Sequence, residues 1–298
     1  MKIIIAGGSG EIGSYLTKYF AAKGNEIVIL SRHHHPSTIN VRTVVWDAKT
    51  LGPWKDALEG AEMIINLAGK SVNCRYTAKN KKEILASRIR STQILGAAVQ
   101  QMKKPPLIWF NAASATIYRH AMDIPQDELS GEIGDDFSMN VCKEWEKCFY
   151  SLQLPETRKI VMRIAITLGI DGGVISRFKN LVRFGLGGKM ADGEQMMSWV
   201  HVEDIARTIE FLLVHEQVNG VVNITSPYPV SNTEFMAALR KQMHAPFGIA
   251  TPKWFLALGA AIIGTETELI LKSRWVIPQK LMTAGFHFKY ATIEPAIK

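Results

Sequence analysis

Short apolar runs alternate with amphipathic stretches along the first half of the chain. The runs are rich in β-branched residues and predict six strands, at residues 3–5, 26–30, 41–46, 63–66, 107–110 and 160–163. Between them, apolar residues recur at helical spacing, as at Tyr15, Leu16, Tyr19 and Phe20, and further helical patterns cover residues 80–102 and 139–152. This alternation predicts an α/β fold of Rossmann type, a doubly wound parallel sheet.

The alternation of predicted strands and helices ends after residue 168, where glycines and prolines separate shorter segments. We predict that residues 1–168 form the Rossmann-type domain and that residues 199–225 return to it. Residues 169–198 and 226–298 then form a smaller C-terminal α/β lobe that binds the substrate, and residues 248–298 are its last unit. The apolar stretch at residues 254–263 predicts a buried helix or, alternatively, a surface that binds a partner.

Three glycines follow the first strand in a turn that leads into a helix. Gly7, Gly10 and Gly13 are spaced as a phosphate-binding turn requires, for a tight bend, a close backbone approach and tight packing of helix on strand. The start of the helix would present free N–H groups, and its dipole favours negative charge. We predict that a dinucleotide binds here, through Gly7, Ser9, Gly10, Glu11, Ile12 and Gly13.

The second strand ends at Ser31 and Arg32, about 20 residues beyond the glycine turn. A site specific for NAD usually has an acidic residue there, which binds the ribose 2′-hydroxyl. An arginine can instead form two charge-assisted hydrogen bonds with a 2′-phosphate. The sequence therefore predicts NADP (NADPH) as the cofactor, with a solvated surface arginine as the alternative.

Further candidate residues follow the third, fourth and fifth strands. Asp47 follows the third strand and is placed to bind the adenine amino group. Leu67, Ala68 and Gly69 follow the fourth, where small residues let the backbone run close to a ligand. Ser114 follows the fifth. Because ligands of such sheets bind at the carboxyl ends of the strands, we expect these residues to converge with the glycine turn and with Arg32.

Composition and charge narrow the possible partners. The net charge of +8 over 298 residues suits an anionic small-molecule substrate, one that bears a diphosphate for example. No zinc-finger pattern, ribonucleoprotein motif or long basic run indicates nucleic acid. The most apolar stretch is about half as long as a membrane span requires, so we expect no membrane span. We also expect no secretory signal, because the chain goes directly into a strand.

The cysteines and histidines do not indicate a metal site. Cys74, Cys142 and Cys148 have neither disulfide nor metal-ligand spacing, so we expect a reducing compartment and hence the cytoplasm. Residues 33–35 are three consecutive histidines, whose side chains cannot easily converge on one ion. We interpret them as a solvated loop.

Several segments together resemble the extended short-chain dehydrogenases/reductases of the NAD(P)-dependent epimerase/dehydratase family. They are the glycine turn, the Asn-Leu-Ala-Gly turn at residues 66–69, the segment 114–118 and the Trp-Val-His-Val-Glu-Asp segment at residues 199–204. The C-terminal unit and residues 83–92 are similar to an epimerase-family branch that carries an extra C-terminal domain. That branch is named for nucleoside-diphosphate-sugar epimerases and SulA-like cell division inhibitors. The resemblance covers nearly the whole chain.

The resemblance implies roles for individual residues. Ser114 matches the family's serine that hydrogen-bonds the reacting oxygen; the alternative is a serine that caps a strand end beside the cofactor. Tyr118 offers a phenol in the same loop, although Arg119 replaces the glycine that normally follows it. Residues that match positions beside the cofactor are Glu83, Arg88 and Ile166. Their alternative interpretations are a helix-surface pair for Glu83 and Arg88, and a core position for Ile166.

The family's chemistry usually depends on a Tyr-x-x-x-Lys pair, in which a tyrosinate moves the substrate proton and the lysine lowers its pKa. In the corresponding helix of this chain, Glu146 matches the acidic residue that follows the family's lysine by four positions. This alignment puts Ser138 at the tyrosine position and Cys142 at the lysine position. One hypothesis is that another group, Tyr118, Lys143 or Cys142 with Ser114, replaces the pair. The other is that the chain binds NADP with little turnover. A buried cysteine is more often simply part of the core.

The sequence thus predicts an NADP-binding protein that resembles epimerases and reductases and acts by hydride transfer on a nucleotide sugar or another small carbonyl or hydroxyl compound. His201 and Asp204 match a motif that ties the two lobes together, and a substrate diphosphate would suit Arg177, Arg183 and Lys189. The alternative function is a catalytically weak NADP-binding regulator, related to redox sensing or cell division, with a protein partner at the C-terminal unit. The sequence does not specify the oligomeric state.

Overall fold

A seven-stranded parallel sheet forms the centre of the structure, a computed structural model that describes residues 1–170, 173–256 and 271–297. In chain order, the strands are β1 Lys2–Ala6, β2 Glu26–Ser31, β3 Val41–Val45, β4 Met63–Asn66, β5 Ile108–Ser114, β6 Arg158–Ile164, β7 Ile166–Leu168, β8 Met196–Met197, β9 Trp199–His201, β10 Gly220–Ile224 and β11 Val230–Ser231. The central sheet has the order β10-β6-β5-β4-β1-β2-β3. Two short pairs, β7 with β9 and β8 with β11, lie outside it.

The strand order reverses between β1 and β4, because β2 and β3 extend the sheet to one side and β5 and β6 to the other. The two strands at this switch point pair in parallel, with Ala6 opposite Asn66 at their carboxyl ends. A crevice opens at such a point, since the connections that leave neighbouring strands turn away to opposite faces of the sheet. The predicted α/β fold of Rossmann type is confirmed.

Helices cover both faces of the sheet and build the second lobe. In chain order, they are α1 Glu11–Ala22, α2 Ala78–Val99, α3 Phe137–Ser151, α4 Gly173–Arg183, α5 Val202–Val214, α6 Asn232–Gln242, α7 Gln279–Thr283 and α8 Ile293–Ala296. Short 3₁₀ turns occur at Pro53–Leu58 and Ala115–Ile117. Side chains accept first-turn N–H groups at the starts of several helices, as Thr77 does for α2 and Asp136 for α3.

The alternation of side chains along the strands gives the central sheet two buried faces. Ile3 and Ile5 face α1 and α5 in one apolar cluster, whereas Ile4 joins the cluster on the opposite face. Both faces are therefore apolar, and this explains why the strands read as continuous β-branched runs in the sequence.

A third apolar cluster forms the core of the second lobe. It joins α4, α6 and α8, with Phe178, Phe235 and Ile293 among its buried members. The C-terminal unit contributes to two cores, because Leu281 and Phe286 lie in the cluster of the central sheet instead. The boundary between the lobes at residue 168 stays a prediction.

Most of the predicted helix at residues 254–263 lies outside the described residues. Of its first residues, Trp254 is exposed and Leu256 is buried. No helix within the described ranges is long and apolar enough to cross a membrane.

Candidate functional site

A cavity of about 550 Å³ opens at the switch point between β1 and β4. Its walls come from the glycine turn, the loop after β4, helices α2 and α3, and the carboxyl ends of β5 and β6. The predicted site residues that line it are Gly7, Gly10, Glu11, Ile12, Gly13, Leu67, Gly69, Arg88, Ser114 and Cys142. Segments distant in sequence thus meet at one place, as expected for a crevice at the strand ends.

The glycine turn is folded as a close-packed bend. Gly7 has φ +79°, a left-handed conformation that favours glycine. A Cβ on Gly13 would lie 2.3 Å from the Gly7 carbonyl oxygen, so no side chain fits between helix α1 and the turn. Helix α1 begins after Gly10 without a side-chain cap, and the positive end of its dipole at this turn suits an anionic ligand.

The carboxyl end of β2 lies beside the glycine turn. Ser31 is buried, and its hydroxyl is 3.2 Å from that of Ser9 and 3.2 Å from Nε2 of His35. The Arg32 side chain is exposed to solvent. The structure therefore brings Ser9 and Ser31 together next to Arg32, whose contact with a 2′-phosphate stays a prediction.

Asp47 lies in an exposed turn after β3. Its carboxylate accepts the backbone N–H groups of Thr50, at 2.9 Å, and Lys49, at 2.8 Å, and also the Thr50 hydroxyl proton. These hydrogen bonds, from Thr50 first, lower the pKa of Asp47 to about 2. The carboxylate thus stabilises the turn in which it lies, and this is a structural role for Asp47. A contact between Asp47 and adenine stays a prediction.

The turn after β4 lies against the glycine turn. A Cβ on Gly7 would lie 3.0 Å from the carbonyl carbon of Leu67. Buried Asn66 fixes this turn, because its side-chain oxygen accepts the Ala68 N–H at 3.1 Å and its amide donates to Asn111 at 2.7 Å. The two backbone segments are thus in contact at the switch point.

Arg88 reaches the cavity from α2. It donates to the carbonyl oxygens of Lys70, at 2.9 Å, and Ile84, at 3.0 Å, and lies over the Trp145 ring at 5.1 Å. Within the described part of the chain it forms no ion pair with a carboxylate. Burial lowers the pKa of this guanidinium. A partly buried cation that pairs with no carboxylate of the described residues favours an anionic ligand.

Glu83 precedes Arg88 on α2 and is not among the residues that line the cavity. Its carboxylate binds Lys70, whose ammonium also donates to Asn80 at 2.8 Å. This hydrogen bond with Lys70 lowers the pKa of Glu83. Lys70 lines the cavity, so Glu83 influences the cavity by holding that lysine in place. A direct contact between Glu83 and a cofactor stays a prediction.

Ser114 ends β5 and lines the cavity together with Thr116. The Ser114 hydroxyl oxygen accepts the Thr116 N–H at 3.2 Å and so caps the 3₁₀ turn that follows. That bond uses an oxygen lone pair, so the hydroxyl proton can still be donated to a ligand. The capping role and the role toward a reacting oxygen are compatible.

The structure does not bring Tyr118 to this cavity. Its side chain is fully buried, and its hydroxyl donates to Asn223 at 3.0 Å and accepts from Arg163 at 2.8 Å. Burial raises the pKa of this phenol. Arg163 is itself paired with Glu146 through two hydrogen bonds of 2.8 Å. The phenol therefore joins a buried network between strands instead of facing a ligand.

The two remaining catalytic candidates on α3 occupy different surroundings. Cys142 is buried and lines the cavity, and burial raises the pKa of its thiol to about 12. Lys143, the next residue, is not among the residues that line the cavity and pairs with Asp135 at 3.1 Å on the surface. A thiol that stays protonated is a poor base, and the lysine is held elsewhere.

Several other predicted residues are not among those that line the cavity. Ile166 belongs to β7 and pairs with Trp199, although its neighbours Ala165 and Thr167 do line it. The basic residues proposed for a substrate diphosphate, Arg177, Arg183 and Lys189, lie on or after α4. No group of three or more metal-ligating side chains occurs in the described residues.

Comparison with known proteins identifies the family. Residues 3–136 match the model of the NAD dependent epimerase/dehydratase family, and residues 251–298 match a C-terminal domain of unknown function. Epimerase family protein SAR0825 of Staphylococcus aureus (strain MRSA252) is 30% identical over 298 residues, which span 100% of this chain and 98% of that protein. The chain belongs to the NAD-dependent epimerase/dehydratase family.

Solved structures of epimerase-type proteins have the same fold. The human epimerase family protein SDR39U1, crystallised with NADPH, is 29% identical, has a TM-score of 0.85 and is matched over 100% of this chain and 98% of its own. MoeE5 in complex with UDP-glucuronic acid and NAD has a TM-score of 0.78, covers 100% of this chain and is matched over 96% of its own. At 20% identity, the second likeness concerns the fold alone.

The residues of this epimerase-family chain fit a dinucleotide. The uncapped first turn of α1 suits a diphosphate, and the absence of a side chain at Gly13 permits the tight bend that such a group requires. The family is NAD(P)-dependent.

Sequence reasoning missed part of the cavity wall of this epimerase-family protein. The residues it did not select include Lys70, Ser71, Tyr76, Trp145 and Thr167. Residues 70–76 lie in an irregular loop between β4 and α2, where no hydrophobic period indicates the direction of a side chain. Trp145 lies within the predicted helix at residues 139–152, and the structure confirms that helix. Its ring also contacts Arg88.

Proposed function

We propose that this chain binds NADPH and transfers hydride between its nicotinamide and a carbonyl or hydroxyl carbon of a small substrate. The observation that carries the proposal is the single cavity that extends from the glycine turn to Ser114. One part of its wall suits a diphosphate and another holds a hydroxyl donor. A reduced nicotinamide supplies hydride when it is bound, and the protein supplies binding, orientation and a proton.

The choice of NADPH over NADH rests on the end of β2. Arg32 is an exposed cation where NAD-specific sites have an acid, and Ser9 and Ser31 lie beside it. A guanidinium can bind a 2′-phosphate through two parallel charge-assisted hydrogen bonds. The NADPH in the crystal structure of the human relative supports this choice.

A nucleotide sugar is the substrate class that we favour. The fold is shared with a protein solved with a UDP-sugar, and the chain carries a net positive charge of +8. Ser114 would donate its hydroxyl proton to the reacting oxygen while its own oxygen keeps the Thr116 amide in place. Arg88 would bind an anionic part of the cofactor or of the substrate.

Calorimetric titration of NADPH and NADH tests the cofactor proposal. We expect wild type to bind NADPH at least about tenfold more tightly than NADH, and Arg32→Ala to lose most of that preference. Arg42→Ala is the matched control, since Arg42 belongs to the neighbouring strand β3 and pairs with Glu26 on the surface. Equal affinities for the two dinucleotides in wild type would overturn the choice of NADPH.

Oxidation of NADPH with a panel of UDP-sugars and small carbonyl compounds tests turnover. Turnover with a UDP-sugar would support a nucleotide sugar as the substrate. Turnover with small carbonyl compounds alone would indicate a reductase with a broader range of substrates instead. Tight NADPH binding without turnover on any member favours the second candidate function.

That second function is an NADP-binding regulator with weak catalysis. It is favoured by α3, where Cys142 stays protonated and Lys143 is paired with Asp135. The bound dinucleotide would then serve redox sensing or a role in cell division, and a protein partner would bind through residues 248–298. The three cysteines Cys74, Cys142 and Cys148 are free, so we propose a reducing compartment, the cytoplasm, for either function.

A further inference from the structure

Hydride transfer to a carbonyl carbon needs a proton donor for the carbonyl oxygen. The described residues that line the cavity include five titratable side chains, which are Glu11, Lys70, Tyr76, Arg88 and Cys142. The surroundings of these five side chains differ, so the contacts of each one show whether it can donate a proton.

Four of the five are poor candidates because of their position or their chemistry. Glu11 is the first residue of α1, beside the glycine turn, where the diphosphate is proposed to bind. The Lys70 ammonium is held by Glu83 and Asn80. The Cys142 thiol has a pKa of about 12 because it is buried, so it neither releases nor takes up a proton readily. Arg88 remains charged at any ordinary pH and cannot act as a donor in a proton transfer.

Tyr76 has the surroundings that the reaction requires. Its hydroxyl is 3.4 Å from Oγ of Ser138, on the wall formed by α3, and its ring packs edge to face on Phe137 at 4.9 Å. Tyr76 and Arg88 line the same cavity, and a Tyr76 phenolate would raise the pKa of the Arg88 guanidinium, which burial lowers. The loop before α2 thus brings a phenol next to Ser138, the position on α3 that corresponds to the tyrosine of the Tyr-x-x-x-Lys pair.

We propose that Tyr76 is the catalytic acid and base of this site, with Arg88 as the cation that stabilises its phenolate. This inference rests on the hydride-transfer function proposed above. In the direction of reduction, a carbonyl carbon gains hydride from the reduced nicotinamide dinucleotide and the carbon–oxygen π bond breaks. The Tyr76 O–H bond breaks as a new O–H bond forms on the substrate, and water then returns a proton to the phenolate. Oxidation of an alcohol follows the same steps in reverse.

The coupling between the two residues can be measured without a substrate. The chain has seven tyrosines, and the ultraviolet difference between wild type and Tyr76→Phe isolates the ionisation of one of them. We expect the midpoint of that ionisation to rise by about one pH unit or more when Arg88→Met removes the cation. Arg88→Lys keeps the positive charge and should leave the midpoint near that of wild type. An unchanged midpoint in the Arg88→Met background would overturn the proposal.

Kinetics with the NADPH-dependent reaction found in the substrate panel provide the second readout. Tyr76→Phe should lower kcat by about 100-fold or more, remove the corresponding limb of the pH profile and leave NADPH affinity within about twofold. Tyr228→Phe is the matched control, because Tyr228 is an exposed tyrosine in the turn before β11. NADPH binding with full turnover in Tyr76→Phe would refute the role of Tyr76 and leave the proposed function intact. Failure of wild type to bind NADPH would refute the proposed function itself.

Discussion

Asp204 accepts the backbone N–H of Tyr290 at 2.8 Å, and this bond fixes the C-terminal segment to helix α5. The other oxygen of the same carboxylate accepts the Lys289 N–H at 2.8 Å. Asp204 is fully buried, and the Tyr290 ring stacks on His201 with 3.6 Å between centroids. The two residues thus connect the C-terminal unit to an element that packs on the central sheet.

Removal of the Asp204 carboxylate should loosen the C-terminal unit. Asp204→Ala leaves the part-buried N–H groups of Lys289 and Tyr290 without their acceptor, and we expect a loss of about 2 kcal/mol in the free energy of unfolding. Urea denaturation measures this loss, and limited proteolysis should then cleave the C-terminal unit first. Glu203→Ala is the control, since it removes a surface pair with Lys289 and a long hydrogen bond of 3.5 Å from the Tyr290 hydroxyl, which we expect to be worth less than about 1 kcal/mol. Equal effects of the two substitutions would contradict this role of Asp204.

Gly13→Ala should disrupt the glycine turn. The added methyl group would lie 2.3 Å from the Gly7 carbonyl oxygen and 2.7 Å from the Gly8 Cα, both of which are backbone atoms. We expect a loss of about 1–3 kcal/mol in stability together with a large loss of dinucleotide affinity, measured by thermal unfolding and calorimetry. Gly10→Ala is the comparison, because the nearest atom to its added Cβ would be 3.3 Å away. That variant should lose less stability than Gly13→Ala.

Ser114→Ala separates the two candidate functions. If Ser114 donates to a reacting oxygen, the variant should lose turnover by about 100-fold and retain NADPH affinity, because in that role the hydroxyl contacts the substrate. If the chain is a regulator, neither cofactor nor partner binding should change. Ser151→Ala, at the exposed end of α3, is a control for a serine that bonds only a local carbonyl.

The pH dependence of stability should report the buried thiol of Cys142. Its pKa rises from 9.0 to about 12 on folding, so the protonated form is the one that the fold stabilises. That contribution is complete below about pH 9 and is lost as the pH rises toward about 12, with a slope near 1.4 kcal/mol per pH unit. Wild type should therefore lose stability above about pH 9 more steeply than Cys142→Ala in urea denaturation. Cys148→Ala should change the slope less, because burial raises the pKa of that half-buried thiol to a smaller extent.

Tyr118→Phe tests whether this phenol is structural. The substitution removes hydrogen bonds to Asn223 and Arg163, and we expect a loss of about 1–2 kcal/mol in the free energy of unfolding with turnover unchanged. A selective loss of kcat at wild-type stability would restore Tyr118 as a catalytic candidate. The pH profile of the variant should match that of wild type, since the phenol lies outside the cavity wall.

Much of the fold could be predicted because local pattern and tertiary environment agree in the central sheet. Strands buried on both faces need continuous apolar runs, and the glycine turn needs residues without a Cβ at defined spacing. The predicted strand at residues 107–110 is shorter than β5, which continues to Ser114. Its last residues, Asn111 to Ser114, are small or polar and show no apolar run, although most of them are buried between neighbouring strands.

The sequence by itself determined the Rossmann-type sheet, the switch-point crevice, the glycine turn and the position of Ser114. The tertiary structure alone decided which polar side chains face the cavity. Tyr118 directly follows the 3₁₀ turn that Ser114 caps, yet its phenol lies in a buried network with Arg163 and Asn223. Tyr76 comes from a loop without regular period, yet it reaches Ser138 on a helix 62 residues away in sequence. Side-chain direction in loops depends on contacts between distant segments, and no periodicity within the chain encodes those contacts.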